Sequence, residues 1–168
     1  MEVSGDLLTN LNEAIAREMQ VSMQYMMQHT LYSGRRISLE NTAHISKTQK
    51  FVASHSPVYL PGKTLKKIAI TEMRHAEAIA ERASNLGGEP VTQPRSIRIG
   101  KTLKEVIEID KAEEEAAITL YNKIIVRARE EGDSITEELF QRILKDEEGH
   151  HRIFTDLLAE VINNSILL

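Results

Sequence analysis

Apolar residues recur at helical spacing in four stretches of the chain. Positions three and four apart lie on one face of an α-helix, so this spacing predicts amphipathic helices. The stretches are residues 6–32, 63–86, 102–131 and 134–161. Scarce aromatic residues and prolines also favour helices over sheets. We therefore expect an all-α fold.

Local signals mark the boundary between the second and third helices. Gly87-Gly88, followed by Pro90, is typical of a helix C-terminus. Thr102-x-x-Glu105 has the form of a capping box at the start of a helix. The dozen or so residues between these signals predict a long connection.

The last two helices are separated only by Gly132-Asp133, and so short a turn predicts antiparallel neighbours. Ser134-x-x-Glu137 has the form of a second capping box, at the start of the fourth helix. Asn163-Asn164 predicts the end of that helix. The four helices together predict an antiparallel four-helix bundle.

Residues 33–62 interrupt the helical pattern. Ser33-Gly34 predicts the end of the first helix, and Pro57 and Pro61 exclude one continuous helix afterwards. A short amphipathic helix within 38–52 fits the pattern. We interpret 33–62 as a segment inserted between helices 1 and 2 of a single domain spanning residues 1–168.

Composition removes several classes of function. The chain has 168 residues, no cysteine and a net charge of −4. Disulfides, thiolate metal sites and cysteine nucleophiles are excluded, and no global attraction to nucleic acid is expected. No apolar run approaches the roughly 18 residues of a membrane span. We expect a cytoplasmic protein without a nucleic-acid or membrane partner.

Candidate chemistry begins with a repeated pair of residue types. Glu147-x-x-His150 and Glu72-x-x-His75 each place a carboxylate and an imidazole on one face of a helix, where they can bind a shared ion. One such pair is common on surface helices. Two copies in separate helices predict a dinuclear site inside the bundle.

The other two helices each offer one further glutamate on an inward stripe. Glu18 is followed by Tyr25 and Glu114 by Tyr121, both after seven residues, which is close to two helical turns. This matched spacing selects Glu114 from three adjacent glutamates, Glu113, Glu114 and Glu115. We expect the other two to face solvent.

These motifs resemble bacterioferritin and the wider ferritin-like di-iron carboxylate superfamily. The resemblance is carried by Arg17-Glu18-Met19-Gln20…Gln24-Tyr25, Glu72-Met73-Arg74-His75-Ala76 and Asp146-Glu147-Glu148-Gly149-His150. It covers all four helices but not the insert. It implies Glu18 and His75 as ligands of one iron, Glu114 and His150 as ligands of the other, and Glu72 and Glu147 as bridges.

Further roles follow from position and from the resemblance. Asp146 and Thr71 each precede a histidine of the motif by four residues, so both can support a ligating imidazole, together with Tyr121. The family commonly has Asp at both positions, and Thr71 departs from that. Tyr25 is a candidate catalytic residue that donates a hydrogen bond or an electron. Met73 stands where bacterioferritins supply a haem ligand, but we favour a space-filling role over haem b.

The resemblance implies an iron-binding ferroxidase that oxidises Fe(II) with O2 or H2O2 for iron storage or detoxification. Oxygen and nitrogen ligands suit two iron ions per chain, and manganese fits the same set. A homo-oligomer built from dimers is expected. Few residues follow His150, so the short fifth helix that lines the bacterioferritin cage is not predicted. The sequence therefore does not decide whether the oligomer is a cage.

The sequence is also compatible with two other functions. One is a non-storage di-iron or di-manganese enzyme, such as a peroxidase, catalase or oxygenase, with residues 33–62 as a lid over a substrate channel. The other is an interaction module whose glutamates and histidines form only a solvated network. The two matched half-sites argue against the interaction module.

Overall fold

The computed structural model describes residues 4–32 and 62–166. These ranges contain four α-helices and no strand, so the all-α prediction is confirmed. The helices are α1 (Gly5–Tyr32), α2 (Gly62–Asn85), α3 (Leu103–Glu130) and α4 (Ser134–Ile166). Within the described ranges, no helix is long and apolar enough to cross a membrane. The predicted short helix at 38–52 lies outside the described residues.

The helices pack as an antiparallel bundle, as the short final turn and the apolar stripes predicted. α1 packs along α2 and α3 packs along α4, with further contacts between α1 and α3 and between α2 and α4. Leu7 and Leu11, near the start of α1, share an apolar cluster with Ile79 and Ala83, near the end of α2. These two helices therefore run in opposite directions.

Two apolar clusters occupy opposite ends of the bundle and leave a polar layer between them. Buried members of the first cluster are Leu7, Leu11, Ala14, Ile15, Ile79, Ala83, Ala117, Tyr121, Ile124, Ile125, Phe140 and Ile143. Those of the second are Val21, Tyr25, Leu65, Ile68, Ala69, Leu103, Ile107, Phe154 and Val161. On every helix the candidate ligands fall between the two sets. The clusters thus exclude water above and below the candidate site.

Glycines end α2 and α3 with the same hydrogen-bond pattern. Gly87 has φ +80° and Gly132 has φ +72°, a left-handed conformation that a side chain would strain. At the end of α2, Gly87 N donates to Ser84 O at 2.9 Å and Gly88 N donates to Ala83 O at 2.9 Å. This pair of bonds is a Schellman motif, so the predicted end of the second helix is confirmed.

α4 starts at Ser134 as predicted, but its capping residue differs from the prediction by one position. Asp133, not Ser134, caps this helix, because its Oδ1 accepts from Thr136 N at 3.0 Å. A carboxylate is a stronger acceptor than a hydroxyl, and its charge also favours the helix N-terminus. The predicted cap of α3 is confirmed, since Thr102 Oγ1 accepts from Glu105 N at 3.2 Å.

The predicted end of α4 at Asn163-Asn164 is wrong, because the helix continues to Ile166. Asparagine is only moderately unfavourable inside a helix, and neither glycine nor proline follows to interrupt the backbone hydrogen bonds. Two asparagines alone therefore do not determine where the helix ends.

The connection between α2 and α3, residues 86–102, runs along the outside of α1. Val91 N donates to Asn12 Oδ1 at 2.8 Å, and Arg95 N donates to Ala16 O at 3.1 Å. Asn12 Nδ2 also donates to the carbonyl of Glu89 at 3.1 Å. The connection is therefore attached to the helix that carries Glu18.

Candidate metal centre

The two Glu-x-x-His pairs face each other across the polar layer. Glu72 and His75 lie on α2, Glu147 and His150 lie on α4, and all four are buried. His75 Nδ1 lies 3.0 Å from Glu72 Oε2 and 3.0 Å from Glu147 Oε1. His150 Nδ1 lies 2.7 Å from Glu72 Oε1. The repeated motif thus converges on one place.

The inward glutamates of α1 and α3 complete this arrangement. Glu18 and Glu114 are both fully buried. The hydroxyl of Tyr121 donates to Glu18, and the hydroxyl of Tyr25 donates to Glu114. The helices form two helical hairpins, α1–α2 and α3–α4. Each tyrosine therefore supports the glutamate of the other hairpin, which ties α1 and α3 together at the site.

The six side chains form two overlapping groups whose potential ligand atoms lie within 4.8 Å of one another. Glu72 and Glu147 belong to both groups. Glu18 and His75 complete one group, and Glu114 and His150 complete the other. Two cations that share two carboxylates would meet this geometry.

The pattern of unpartnered atoms fits a metal. Glu18 Oε2 is buried without a hydrogen-bond partner. Glu72 Oε1, Glu147 Oε1 and His150 Nδ1 are buried without a hydrogen bond of good geometry, and their close polar neighbours are other atoms of the same two groups. Burying such atoms alone is costly, and coordination to a cation removes the cost. All four belong to the two overlapping groups, and the donors are only oxygen and nitrogen, which suits iron or manganese.

Burial keeps two of the carboxyls reluctant to ionise. It raises the pKa of Glu18 and Glu114 well above the usual value, and the charge of Glu147 raises both further. Burial also raises the pKa of Tyr25, which therefore remains a protonated donor to Glu114. A bound cation would reverse the balance by favouring the ionised carboxylates.

The histidine and glutamate of α2 shift in opposite directions. Burial opposes protonation of His75, but Glu147 and Glu72 outweigh it and raise the pKa of His75 to about 11. Burial acts against ionisation of Glu72, but the imidazoles of His150 and His75 hold the pKa of Glu72 below its usual range. Without metal, the positive charge of protonated His75 thus partly offsets the negative charge of Glu72 and Glu147.

Arg17 lies within the site, and the sequence reasoning did not include it there. It is 1 % exposed, and its guanidinium contacts three of the four glutamates. A signal was present, since Asn10, Arg17 and Gln24 repeat every seven residues and are all buried. Polar residues at that spacing on an inward face indicate a buried polar stripe.

Asp146 supports a histidine, but not the one expected from its position in the sequence. Its Oδ2 lies 3.3 Å from His75 Nε2, on the other hairpin, and the described hydrogen bonds and ion pairs do not join Asp146 to His150. The expected contact of Thr71 with His75 is also absent, because the Thr71 hydroxyl donates to Lys67 O at 3.2 Å. Asp146 thus reaches across the bundle, whereas Thr71 bonds within its own helix.

The expectation that Glu113 faces solvent is wrong. Glu113 is 6 % exposed and accepts from Arg98 Nη2 at 2.5 Å and from Gln20 Nε2 at 3.2 Å. These two partners compensate for its burial at the edge of the α1–α3 contact. Glu115 is exposed, as expected, and pairs with Lys111 on the surface of α3.

A second buried polar cluster lies one helical turn from Glu114 and was not anticipated. Asp110 Oδ1 accepts from Gln24 Nε2 at 2.9 Å and from Gln28 Nε2 at 2.8 Å. Asp110 Oδ2 has no partner. Burial raises the pKa of Asp110 to about 7.

Met73 does not fill space in the core. Its side chain lies on α2 and is 57 % exposed, so the expected packing role is wrong. The residue follows Glu72 by one position, about 100° around the helix, which turns it away from the polar layer. The haem-ligand role, which the sequence favours less, is not tested by this exposure.

Comparison with known proteins agrees with this geometry. The Ferritin family, described as a ferritin-like domain, matches residues 62–162, which is more than half of the chain. A bacterioferritin from Desulfovibrio desulfuricans is 33 % identical over 154 residues, covering 91 % of this chain and 74 % of the relative. A bacterioferritin from Mycobacterium avium is 46 % identical over 80 residues, or 47 % of this chain and 50 % of the relative.

Solved structures give the same result. The X-ray structure of Desulfovibrio desulfuricans bacterioferritin, which concerns its diiron site in different catalytic states, has a TM-score of 0.75 and 30 % identity. It covers 94 % of this chain and 81 % of that one. A Mycobacterium tuberculosis bacterioferritin has a TM-score of 0.76 and 27 % identity, covering 97 % and 90 %. The chain therefore belongs to the ferritin-like family, and its relatives there are bacterioferritins.

Proposed function

We propose that this chain binds two iron ions in the polar layer of its bundle and oxidises Fe(II) with O2 or H2O2, for iron storage or detoxification. The observation that carries the proposal is the overlap of the two groups of side chains, which share Glu72 and Glu147. The diiron site of the Desulfovibrio desulfuricans relative supports iron as the metal.

The roles of the six side chains follow from that overlap. Glu72 and Glu147 would contact both ions, Glu18 and His75 one ion, and Glu114 and His150 the other. Tyr121 and Tyr25 would hold the terminal glutamates from behind. This division is supported by Glu18 Oε2, which has no hydrogen-bond partner, and by Glu72 Oε1 and Glu147 Oε1, which face the imidazole nitrogens that would bind the same ions.

The charge of the site suits redox chemistry. Four carboxylates, neutral histidines and Arg17 leave one net positive charge when two divalent ions bind, which is a small excess for a buried layer. Bound iron would supply the electrons that reduce O2 to H2O2, or H2O2 to water. Manganese fits the same donors, and the choice of iron depends on the relative rather than on this geometry.

Assembly and location belong to the same proposal. We expect a homo-oligomer with a dimer as its building block and a cytoplasmic location, as the family resemblance implies. The alternative of a non-storage peroxidase, catalase or oxygenase would use residues 33–62 as a lid, and these lie outside the described residues. Nothing in the described part of the chain favours it.

Anaerobic Fe(II) titration followed by exposure to O2 tests the proposal. The wild-type chain should bind two Fe(II) ions before oxidation, and Glu147→Ala should lose both. Glu148→Ala is the matched control, because Glu148 is the exposed neighbour of Glu147 on α4 and should behave as wild type. Equal binding by all three proteins would contradict the proposed site.

Size-exclusion chromatography with light scattering, combined with repeated Fe(II) additions, separates storage from other oxidation chemistry. Storage predicts a large homo-oligomer that takes up many iron ions per chain. A dimer that stops at about two iron ions per chain would exclude storage and leave a di-iron enzyme.

A further inference from the structure

Arg17 makes a set of contacts that reaches both halves of the proposed site. Its Nη1 lies 3.0 Å from Glu18 Oε1 and 3.2 Å from Glu147 Oε2. Its Nη2 lies 3.3 Å from Glu114 Oε2 and donates to the Glu113 carbonyl at 3.0 Å. The buried guanidinium of Arg17 thus contacts one unshared glutamate from each metal group, Glu18 and Glu114, and also the shared Glu147.

At Glu18 and Glu147, Arg17 contacts one carboxylate oxygen and leaves the other to the metal groups. Glu18 Oε1 and Glu147 Oε2 face the guanidinium, whereas Glu18 Oε2 has no hydrogen-bond partner and Glu147 Oε1 faces the imidazole of His75 at 3.0 Å. Glu114 differs, because its Oε2 faces Arg17 and its Oε1 accepts from Tyr25. Arg17 therefore does not occupy the oxygens of Glu18 and Glu147 that a metal would take. Its charge remains beside the ions, and it holds the carboxylates from the opposite side.

We propose that Arg17 is a permanent positive charge of the dinuclear centre that stabilises the metal-free chain, weakens the binding of cations and favours Fe(II) over Fe(III). This inference rests on the proposed function, since it takes the six side chains as the ligands. Arg17 would act through Glu18, Glu114 and Glu147 and is in that sense a positioning and charge-setting residue.

The direction follows from counting charges. In the metal-loaded state the ligands and Arg17 together carry three net negative charges, with the four glutamates ionised and the two histidines neutral. Two divalent ions then leave one net positive charge, and oxidation of both ions leaves three. Without Arg17 each loaded state would carry one positive charge less. Charges a few ångströms apart in a buried site interact strongly, so this difference should govern affinity.

A merely structural role predicts the opposite sign. If Arg17 only positioned the carboxylates, its removal would weaken metal binding and destabilise every state of the chain. If its charge dominates, removal destabilises only the metal-free chain and tightens metal binding. The sign of the change in affinity therefore separates the two roles.

The experiment compares Arg17→Gln, which removes the charge, with Arg17→Lys, which keeps it. Arg82→Gln is the control, because Arg82 is another largely buried arginine and pairs with Asp133 at the α3–α4 turn, at 2.6 Å. Zn(II) affinity is measured by chelator competition from the Zn-loaded proteins. This works even if a variant folds only with metal.

We expect Arg17→Gln to hold Zn(II) at least about tenfold more tightly than wild type, with Arg17→Lys and Arg82→Gln close to wild type. The midpoint potential of the iron-loaded Arg17→Gln protein should fall. In urea, metal-free Arg17→Gln should unfold earlier than wild type, and Zn(II) should restore its stability.

Equal or weaker Zn(II) binding by Arg17→Gln, or an unchanged midpoint potential, would overturn the role of Arg17. A wild-type chain that binds no Zn(II) would overturn the proposed ligand set, and the role of Arg17 with it. Wild-type binding of two Zn(II) ions keeps the two questions separate.

Discussion

His75 Nε2 lies 3.3 Å from Asp146 Oδ2, across the boundary between the two helical hairpins. Since His75 Nδ1 faces Glu72 and Glu147, a ligating His75 carries its proton on Nε2 and donates it to Asp146. The corresponding residue in the other half is Thr71, whose hydroxyl is already used by the Lys67 carbonyl. The two histidines are therefore supported unequally.

This inequality predicts different effects for two matched variants. Asp146→Ala should weaken Zn(II) binding about tenfold, the lower end of the range for such partners, because Asp146 is half exposed. Thr71→Ala should stay within about twofold of wild type. Chelator competition measures both affinities. Equal losses in the two variants would contradict the assignment of Asp146 to His75.

The two tyrosines should also differ when each is replaced by phenylalanine. Glu18 Oε1 receives a second donor from Arg17, whereas Tyr25 is the donor to Glu114 Oε1 within the described contacts. Tyr25→Phe should therefore destabilise the metal-free chain by about 1–3 kcal/mol, and Tyr121→Phe by less. Urea denaturation measures this. Slower Fe(II) oxidation in Tyr25→Phe than in Tyr121→Phe would support the proposed catalytic role of Tyr25.

The buried Asp110 predicts a dependence of stability on pH. Burial raises its pKa from the ordinary 3.8 to about 7, so the folded chain binds this proton more tightly than the unfolded chain. Its contribution to stability is complete below about pH 4 and is lost as the pH rises through about 7.

Asp110→Asn should therefore be more stable than wild type at about pH 8, by on the order of 2 kcal/mol, and this advantage should shrink towards pH 5. The amide keeps an oxygen that can accept from Gln24 and Gln28. Urea denaturation across pH measures the difference, with Glu138→Gln as an exposed control on α4. A stability difference that does not change with pH would exclude Asp110 as the source.

Metal binding should release protons. Because the pKa of His75 is raised to about 11 in the metal-free chain, the imidazole is protonated near neutral pH and must lose that proton to bind a metal. Calorimetry of Zn(II) binding in buffers with different ionisation enthalpies should detect at least about one released proton per chain. Affinity should fall as the pH falls. Binding without proton release would contradict the place of His75 in the site.

The helices and the convergence of the six side chains could be predicted from the sequence, because both follow from regular spacing. Each Glu-x-x-His lies on one face of its helix, and the matched intervals to Tyr25 and Tyr121 select the register of Glu114. Residues whose roles depend on a neighbouring helix could not be predicted in this way. Asp146 is such a residue, since its partner depends on how α4 packs against α2.

Glu113 and Arg17 show a second reason. A charged residue is expected at the surface unless a partner is known, and apart from Glu18 beside Arg17 the partners here are distant in sequence. Arg98 lies on the connection before α3, and Gln20 lies on α1. These charges are buried only when the helices assemble into the bundle. Their burial therefore cannot be predicted from the spacing of residues within one helix.

The connection at residues 86–102, attached to α1 by the Val91 and Arg95 backbone bonds, is the only covalent link between the two hairpins within the described chain. Each hairpin supplies three of the six candidate ligands. A chain cut in this connection would be a two-fragment system in which the metals join pieces that share no peptide bond. The two fragments of such a split chain would assemble into the bundle when iron binds, so that formation of the bundle would indicate the presence of metal.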